Sequence, residues 1–230
     1  MANLWDTVVT SFTKQFMLQR ILVYIFGLFV AAVGVGLAIN SALGVSPVTS
    51  FPYVISLITG IYLGRVVTAV LVVYIVMQII ILRRDYKIIN LLQIVFSFIF
   101  GYFVDLALFL LRGFRIPTYA GQLLMLCISM ILIAAGIVAL LETKLVILPA
   151  EGLIATIAQK YNGKFHRIKM VMDAILVILG IVLGLIFLGG VFGVREGTVI
   201  AAIGTGKIMP YVGKVILPPL NKIGIKADLY

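Results

Sequence analysis

The chain has 230 residues, of which 63% are apolar and only 11% are charged, and its mean hydropathy is +1.24. This composition excludes an ordinary water-soluble domain and predicts an integral membrane protein. The formal net charge of +10 comes from short Lys and Arg clusters between apolar segments. Such clusters are typical of juxtamembrane positions, so the predicted partner is anionic lipid headgroups and not nucleic acid.

Six apolar stretches are long enough to cross a bilayer, since about 20 helical residues span a hydrocarbon core of about 30 Å. In chain order they are residues 21–39, 66–82, 88–111, 121–141, 168–188 and 198–216. Two further apolar helices, residues 47–57 and 149–159, are too short to span alone at about 1.5 Å per residue. The predicted fold is therefore all-α: a polytopic membrane helical bundle with six long transmembrane helices and two short, proline-initiated half-helices, in a single domain of residues 1–230.

Each short helix opens with proline, which is favoured at the first helical position. Ser46 stands at the N-cap position of the first short helix. In the second, Leu148 takes that place, and Glu151 in the first turn can interact favourably with the helix dipole. Irregular backbone is tolerated at membrane depth only beside protein or a water-filled cavity. The sequence thus predicts a cavity beside residues 40–46 and 143–148.

The two short helices belong to a predicted internal repeat. Four residues recur in register 102 positions later, namely Gly34, Pro47, Ile55 and Arg65, which return as Gly136, Pro149, Ile157 and Arg167. The segment order around them is also the same, so we predict two sequence-related repeats at about residues 20–112 and 120–216. Broken helices at matching positions of two repeats point to a binding site at the seam between them.

The positions of Lys and Arg predict both termini in the cytoplasm, under either of two topologies. If the short helices cross the membrane with the extended segments before them, the chain crosses eight times and the repeats are parallel. If the short helices are re-entrant, the chain crosses six times and the repeats are inverted. The charge bias has the same sign in both cases, so the sequence leaves both topologies open.

Three ionisable side chains stand out within the predicted long helices, namely Asp105, Asp173 and Lys207. A charge near the bilayer centre costs at least about 2.5 kcal/mol, which makes such residues candidates for function. One interpretation is an ion pair between Lys207 and either aspartate that only holds the bundle together. The other is that Asp105 or Asp173 binds a coupling proton or cation, while Lys207 attracts a carboxylate or other anion.

Four hydroxyl groups cluster at the start of the first short helix, on Ser46, Thr49, Ser50 and Tyr53. Together with free backbone N–H groups, they could bind an anionic or polar group of a solute. They could equally cap and pack the helix. With Glu151 and Lys207, these four residues form the predicted substrate-binding set.

No catalytic or metal-binding pattern is present in the sequence. His166 is the single histidine and Cys127 the single cysteine, so neither a metal cluster nor a disulfide is expected. Gly204-Thr-Gly206 precedes Lys207, but it lies in an apolar helix without the preceding strand of a phosphate loop, and close helix packing is the preferred interpretation. We therefore expect no enzyme activity and no cofactor.

Several short motifs resemble the YczE/YyaS/YitT family of bacterial multi-pass membrane proteins. They are Gly44-Val-Ser-Pro47, Thr59-Gly60-Ile-Tyr-Leu-Gly64, Phe100-Gly101-Tyr-Phe-Val-Asp105, and Gly197-Thr198 followed by Ala202 and Gly206. The resemblance implies a protein of the bacterial inner membrane and, as for some members, transport. It supplies no catalytic residues.

The sequence thus predicts a membrane transporter of a small polar solute, with its site at the repeat interface. Arg65, Arg167 and Lys207, together with two half-helix N-termini, favour an organic anion or zwitterion as the solute. The alternative is a non-transporting membrane scaffold or a ligand-binding subunit of a larger membrane complex. Assembly into a homo-oligomer is left open.

Overall fold

The computed structural model describes residues 17–222, and this part of the chain is helical, without strands. Its α-helices are, in chain order, α1 (Met17–Asn40), α2 (Pro47–Thr59), α3 (Leu63–Leu82), α4 (Leu92–Leu110), α5 (Tyr119–Thr143), α6 (Pro149–Lys160), α7 (Phe165–Leu188) and α8 (Glu196–Lys222). Two short 3-10 turns, Arg83–Asp85 and Ile88–Leu91, connect α3 to α4.

The predicted polytopic helical bundle is confirmed. In the described range, six helices are long and apolar enough to cross a membrane, and the two short helices begin at the predicted prolines. Several predicted bounds differ from the observed ones where charges flank a span. Helix α7 begins at Phe165 instead of residue 168, and α8 runs over Glu196–Lys222 instead of residues 198–216, because polar residues at the membrane interface can continue a helix that the apolar stretch begins.

Helices α1 and α5 pack closely and run antiparallel. A methyl group added to Gly27, in the first half of α1, would lie 3.2 Å from Ala139 Cβ near the end of α5. One added to Gly34, further along α1, would lie 2.9 Å from Ser129 O in the middle of α5. Since α1 and α5 open the two halves of the chain, the halves have opposite orientations. These contacts fit six crossings with re-entrant α2 and α6, and they do not fit eight crossings with parallel halves.

Each short helix packs against a long helix of the other half. On one side, a methyl group added to Gly180 of α7 would lie 3.5 Å from Ser50 O of α2. On the other, Gln78 of α3 is fully buried, and its Nε2 donates to Pro149 O at the start of α6 at 3.0 Å. Through these contacts, each short helix ties its own half of the described chain to the other half.

Two membrane faces can be defined from the helix ends. The near side is the face at which α1 begins and α8 ends; the far side is the face at which α1 and α4 end, where Asn40 Nδ2 donates to Leu111 O at 2.8 Å. On the far side, the loops after α1 and α7 are joined by backbone hydrogen bonds, from Val45 N to Gly193 O at 2.9 Å and from Gly197 N to Leu43 O at 2.8 Å.

The last two helices of each half are packed differently. Helices α3 and α4 meet so closely that a methyl group added to Gly101 would overlap Thr68 Oγ1 and Gly64 O. Helices α7 and α8 occupy the corresponding places in the second half, yet they form no comparable interface within the described residues. The second half therefore lacks the close pairing of its last two helices that the first half has.

Replacing Gly136 with Ala should destabilise the α1–α5 interface by about 1–3 kcal/mol, the usual cost of overpacking. The added methyl group would lie 2.6 Å from Gly27 O and 2.7 Å from Ala31 Cβ. Gly206→Ala is the matched control, since an added Cβ there meets nothing within 4 Å and alanine favours helix by up to about 1 kcal/mol. Thermal unfolding of purified protein in detergent should show a lower Tm for Gly136→Ala only; equal Tm values would contradict this packing.

Candidate solute-binding cavity

A cavity of 420 Å³ lies where the two halves meet, and all eight described helices contribute to its wall. It lies beside both of the breaks at which the sequence predicted a cavity, because Ser46 and Leu148 line it. The beginnings of both half-helices face it through Pro47 and Ala150. Most of the remaining wall is apolar, so each polar group in it is distinctive.

The start of α2 contributes two hydroxyl groups to the cavity, those of Ser46 and Thr49. Their oxygens are 2.9 Å apart and hydrogen-bonded. Ser46 has the backbone conformation of an N-cap, but its side chain does not cap the backbone. Pro52 also lines the cavity, and because proline has no N–H, the Val48 carbonyl lacks its usual helical donor. This corner of the cavity thus offers polar groups that the helix itself does not use.

The other two predicted hydroxyl groups do not line the cavity. Ser50 is fully buried, and its hydroxyl donates to Pro47 O at 2.7 Å. Tyr53 is half-buried and lies beside Gly193, where an added methyl group would be 2.6 Å from the Tyr53 ring. The structure therefore places Ser50 and Tyr53 in helix packing and separates them from Ser46 and Thr49.

Three charged side chains also line the cavity, namely Glu151, Lys169 and Asp173. Lys169 Nζ lies 3.3 Å from Asp173 Oδ2, one turn apart on α7. Glu151 Oε2 and Asp173 Oδ1 are buried and have no hydrogen-bond partner among the described residues. The same is true of the hydroxyl of Tyr74, which is within electrostatic range of both carboxyl groups. Two carboxyl groups, one ammonium and one phenol therefore meet in this part of the cavity.

The other two ionisable residues of the predicted set, Asp105 and Lys207, lie outside the cavity lining. Asp105 Oδ1 accepts a hydrogen bond from Gly64 N at 2.6 Å and so caps the start of α3 from α4. Lys207 is exposed. The predicted alternative, an ion pair of Lys207 with an aspartate, is not what the structure shows for Asp173, which pairs with Lys169 on its own helix.

Asp105→Asn should leave stability nearly unchanged, because the amide oxygen can still accept the Gly64 N–H. Asp105→Ala should lower the free energy of unfolding by about 1.5–3 kcal/mol, the usual worth of a hydrogen bond to a charged group. Chemical denaturation of both variants in detergent measures this difference. If Asp105 instead coupled transport to a proton or cation, Asp105→Asn would be stable but would not accumulate solute.

Lys169 and Tyr74 were missed by the sequence reasoning. Lys169 is only the second residue of the predicted span of residues 168–188, so it was not singled out among the ionisable residues within the long helices. Its spacing of four residues from Asp173 was the available signal, since such residues are neighbours on a helix. Tyr74 carried no signal of its own, because an aromatic residue in an apolar helix is usually a packing residue. Among the described residues, no group of three His, Cys, Asp or Glu side chains could hold a metal ion.

Comparison with known families places most of the chain in one of them. Residues 18–214 match the model of DUF6198, a family of unknown function. The chain belongs to this family. The match covers nearly all of α1, all of α2–α7 and most of α8, so the cavity lies entirely within the family's shared region. No curated protein and no solved structure matches the chain.

Proposed function

We propose that this protein is a membrane transporter that carries a small polar solute through the central cavity. One observation carries the proposal: a cavity at the junction of two oppositely oriented halves, to which every described helix contributes. Transporters built from inverted repeats place their sites at such a junction, next to the N-termini of discontinuous helices. The resemblance to the YczE/YyaS/YitT family supports transport by analogy, and we propose that the halves arose by duplication.

The difference between the two halves supports a mechanism of alternating exposure. In this mechanism, the tight α3–α4 contact and the hydrogen bonds between loops close the cavity toward the far side. Toward the near side, α7 and α8 both line the cavity through Phe165 and Met209 without packing against each other. If the two halves exchange their conformations, the near side closes and the far side opens, while the cavity stays in place.

The lining charges favour a zwitterion over an organic anion. Both classes were predicted from Arg65, Arg167 and Lys207, but these three side chains are exposed and are not part of the cavity wall. Arg65 instead lies 5.1 Å from the ring centre of Tyr62. A zwitterion could place its anionic group at the α2 N-terminus and its cationic group near Glu151.

With six crossings, the charge distribution supports cytoplasmic termini. Four basic residues lie between spans on the far side, namely Arg65, Arg112, Arg115 and Arg195. All the other described Lys and Arg residues except Lys207 fall on the near side, which supports a cytoplasmic location of that side by the positive-inside rule. We propose the bacterial inner membrane as the location, with anionic lipid headgroups in contact with residues 160–169. A homo-oligomer is compatible with this arrangement.

Uptake by proteoliposomes that contain only this protein tests the proposal. Radiolabelled phenylalanine, a zwitterion small enough for the cavity, should enter faster than in protein-free liposomes, and unlabelled phenylalanine inside should accelerate its entry by exchange. Phenylacetate, its anionic analogue, should enter more slowly. If neither probe enters and a second protein co-purifies in a fixed ratio, the result would favour the scaffold or ligand-binding subunit over a transporter.

A further inference from the structure

We propose that Glu151 binds a cationic group of the solute, and that the ligand class is an ammonium group on an apolar body. This inference rests on the proposed function and names the solute of that same cavity. It also changes the role of Glu151, which the sequence connected only with the dipole of its own helix and with the substrate set.

The first observation behind this proposal is that two carboxyl groups of the cavity each have an oxygen without a hydrogen-bond donor. Glu151 lies in the first turn of a re-entrant helix, and its Oε2 has no hydrogen-bond partner in the described range. A carboxylate oxygen taken out of water without a hydrogen-bond donor is costly. Asp173 uses Oδ2 for Lys169 but leaves Oδ1 without a partner. The cavity wall therefore carries two carboxyl groups against one ammonium, and a second cation would balance them.

The second observation is a buried tyrosine hydroxyl without a hydrogen-bond partner, on a different helix. Tyr74 of α3 lines the cavity and is only 6% exposed, yet its hydroxyl has no partner among the described residues. A buried hydroxyl normally finds one. An ammonium group placed between Tyr74 and Glu151 would donate to both oxygens, and the electron-rich face of an aromatic ring also attracts cations.

The rest of the wall fits the apolar part of such a ligand. Val67 and Leu71 line the cavity from α3, and Phe100 and Val104 line it from α4. The volume of 420 Å³ lies within the roughly 300–1,000 Å³ typical of small-molecule sites. This is room for one small organic molecule and too little for a phospholipid or a folded peptide.

Lys169 allows a second, opposite prediction, because it is a cation that already lines the cavity. Among the described lining residues, only Glu151, Asp173 and Lys169 carry a formal charge, and they come from α6 and α7. Lys169 should therefore compete with a cationic ligand for Asp173. Removing the lysine should improve cation binding, whereas removing the glutamate should weaken it.

Isothermal titration of purified protein in detergent with benzylammonium tests these opposite effects. We expect Glu151→Gln to weaken binding by about 10- to 100-fold, the range for losing a hydrogen bond to a charged group. Lys169→Met should tighten it several-fold. Glu196→Gln is the matched control, since Glu196 is exposed and pairs with Arg195 at 3.1 Å, and it should bind like the wild type. Phenylalanine as a second titrant shows whether a carboxylate on the ligand adds affinity.

The proposal is overturned if Glu151→Gln binds benzylammonium as Glu196→Gln does, if Lys169→Met weakens binding, or if the folded wild type does not bind benzylammonium. Size-exclusion profiles of the variants show that each is folded. The result of this binding experiment can be distinguished from the result of the uptake experiment. Glu151-dependent binding without any flux would contradict the transporter and keep the site, whereas flux that does not depend on Glu151 would contradict the site and keep the transporter.

Discussion

Val70→Trp should lower the uptake of the transported solute by at least about tenfold while leaving the protein folded. Val70 is half-buried on α3 and lines the cavity, so an indole ring at this position would extend into the space that the solute needs. Because the ring enters a cavity and not a packed core, the cost in stability should be smaller than the 1–3 kcal/mol typical of overpacking. Phenylalanine uptake by proteoliposomes and the Tm in detergent measure the two quantities separately.

Val73→Trp is the matched control for this prediction. Val73 lies on the same helix, is 54% exposed on the outer surface of the bundle, and does not line the cavity. A tryptophan there should meet lipid, and uptake should stay within about twofold of the wild type. Equal uptake by the two variants would show that the solute does not pass through this cavity.

Gly101→Val should force the far side of the protein open. The valine side chain would be driven into Gly64 and Thr68, so the tight α3–α4 contact could not form. In the proposed mechanism this contact closes the cavity, and its loss should shift the population toward the far-side-open conformation. A Val48→Cys thiol should then react with a charged, membrane-impermeant reagent added to the far side. The reaction should be at least about tenfold faster than in Val48→Cys protein that keeps Gly101.

Gly206→Val is the corresponding control, because a Cβ at Gly206 meets no other atom within 4 Å and the far-side contact is untouched. Far-side labelling in this variant should match that of the parent. Cys127 is the only native cysteine and is replaced by Ser in all labelling variants. If Gly101→Val stays folded and still reacts slowly from the far side, the α3–α4 contact is not the closure of the cavity.

The architecture could be predicted from sequence because it depends on local signals. The lengths of the apolar stretches fixed the six spans, and proline at residues 47 and 149 fixed the beginnings of both half-helices, since its φ angle and missing N–H act within one turn. Ser46, Thr49, Glu151 and Asp173, which line the cavity, were also singled out from the sequence, because polar residues are rare in apolar segments. Each of these signals can be read within a few residues.

The positions of Asp105 and Lys207 and the orientation of the two halves depend on contacts between distant segments of the chain. Asp105 was a candidate for ion coupling because it is charged, but its partner Gly64 lies in another helix, and no pattern near Asp105 shows that. The same holds for Lys207, whose exposure depends on which face of α8 meets the bundle. The orientation of the halves could not be settled by charges alone, because both topologies gave the same bias. It became clear only from the antiparallel contact of α1 with α5.

Side-specific labelling of Val48→Cys in otherwise wild-type protein tests the central claim most directly. Val48 lines the cavity at the start of α2, deep in the bundle. We predict fast reaction with a charged, impermeant thiol reagent from the near side and slower but measurable reaction from the far side, both reduced by the transported solute. Reaction from the near side alone, with no far-side reaction even in Gly101→Val, would contradict a cavity that opens to each side in turn.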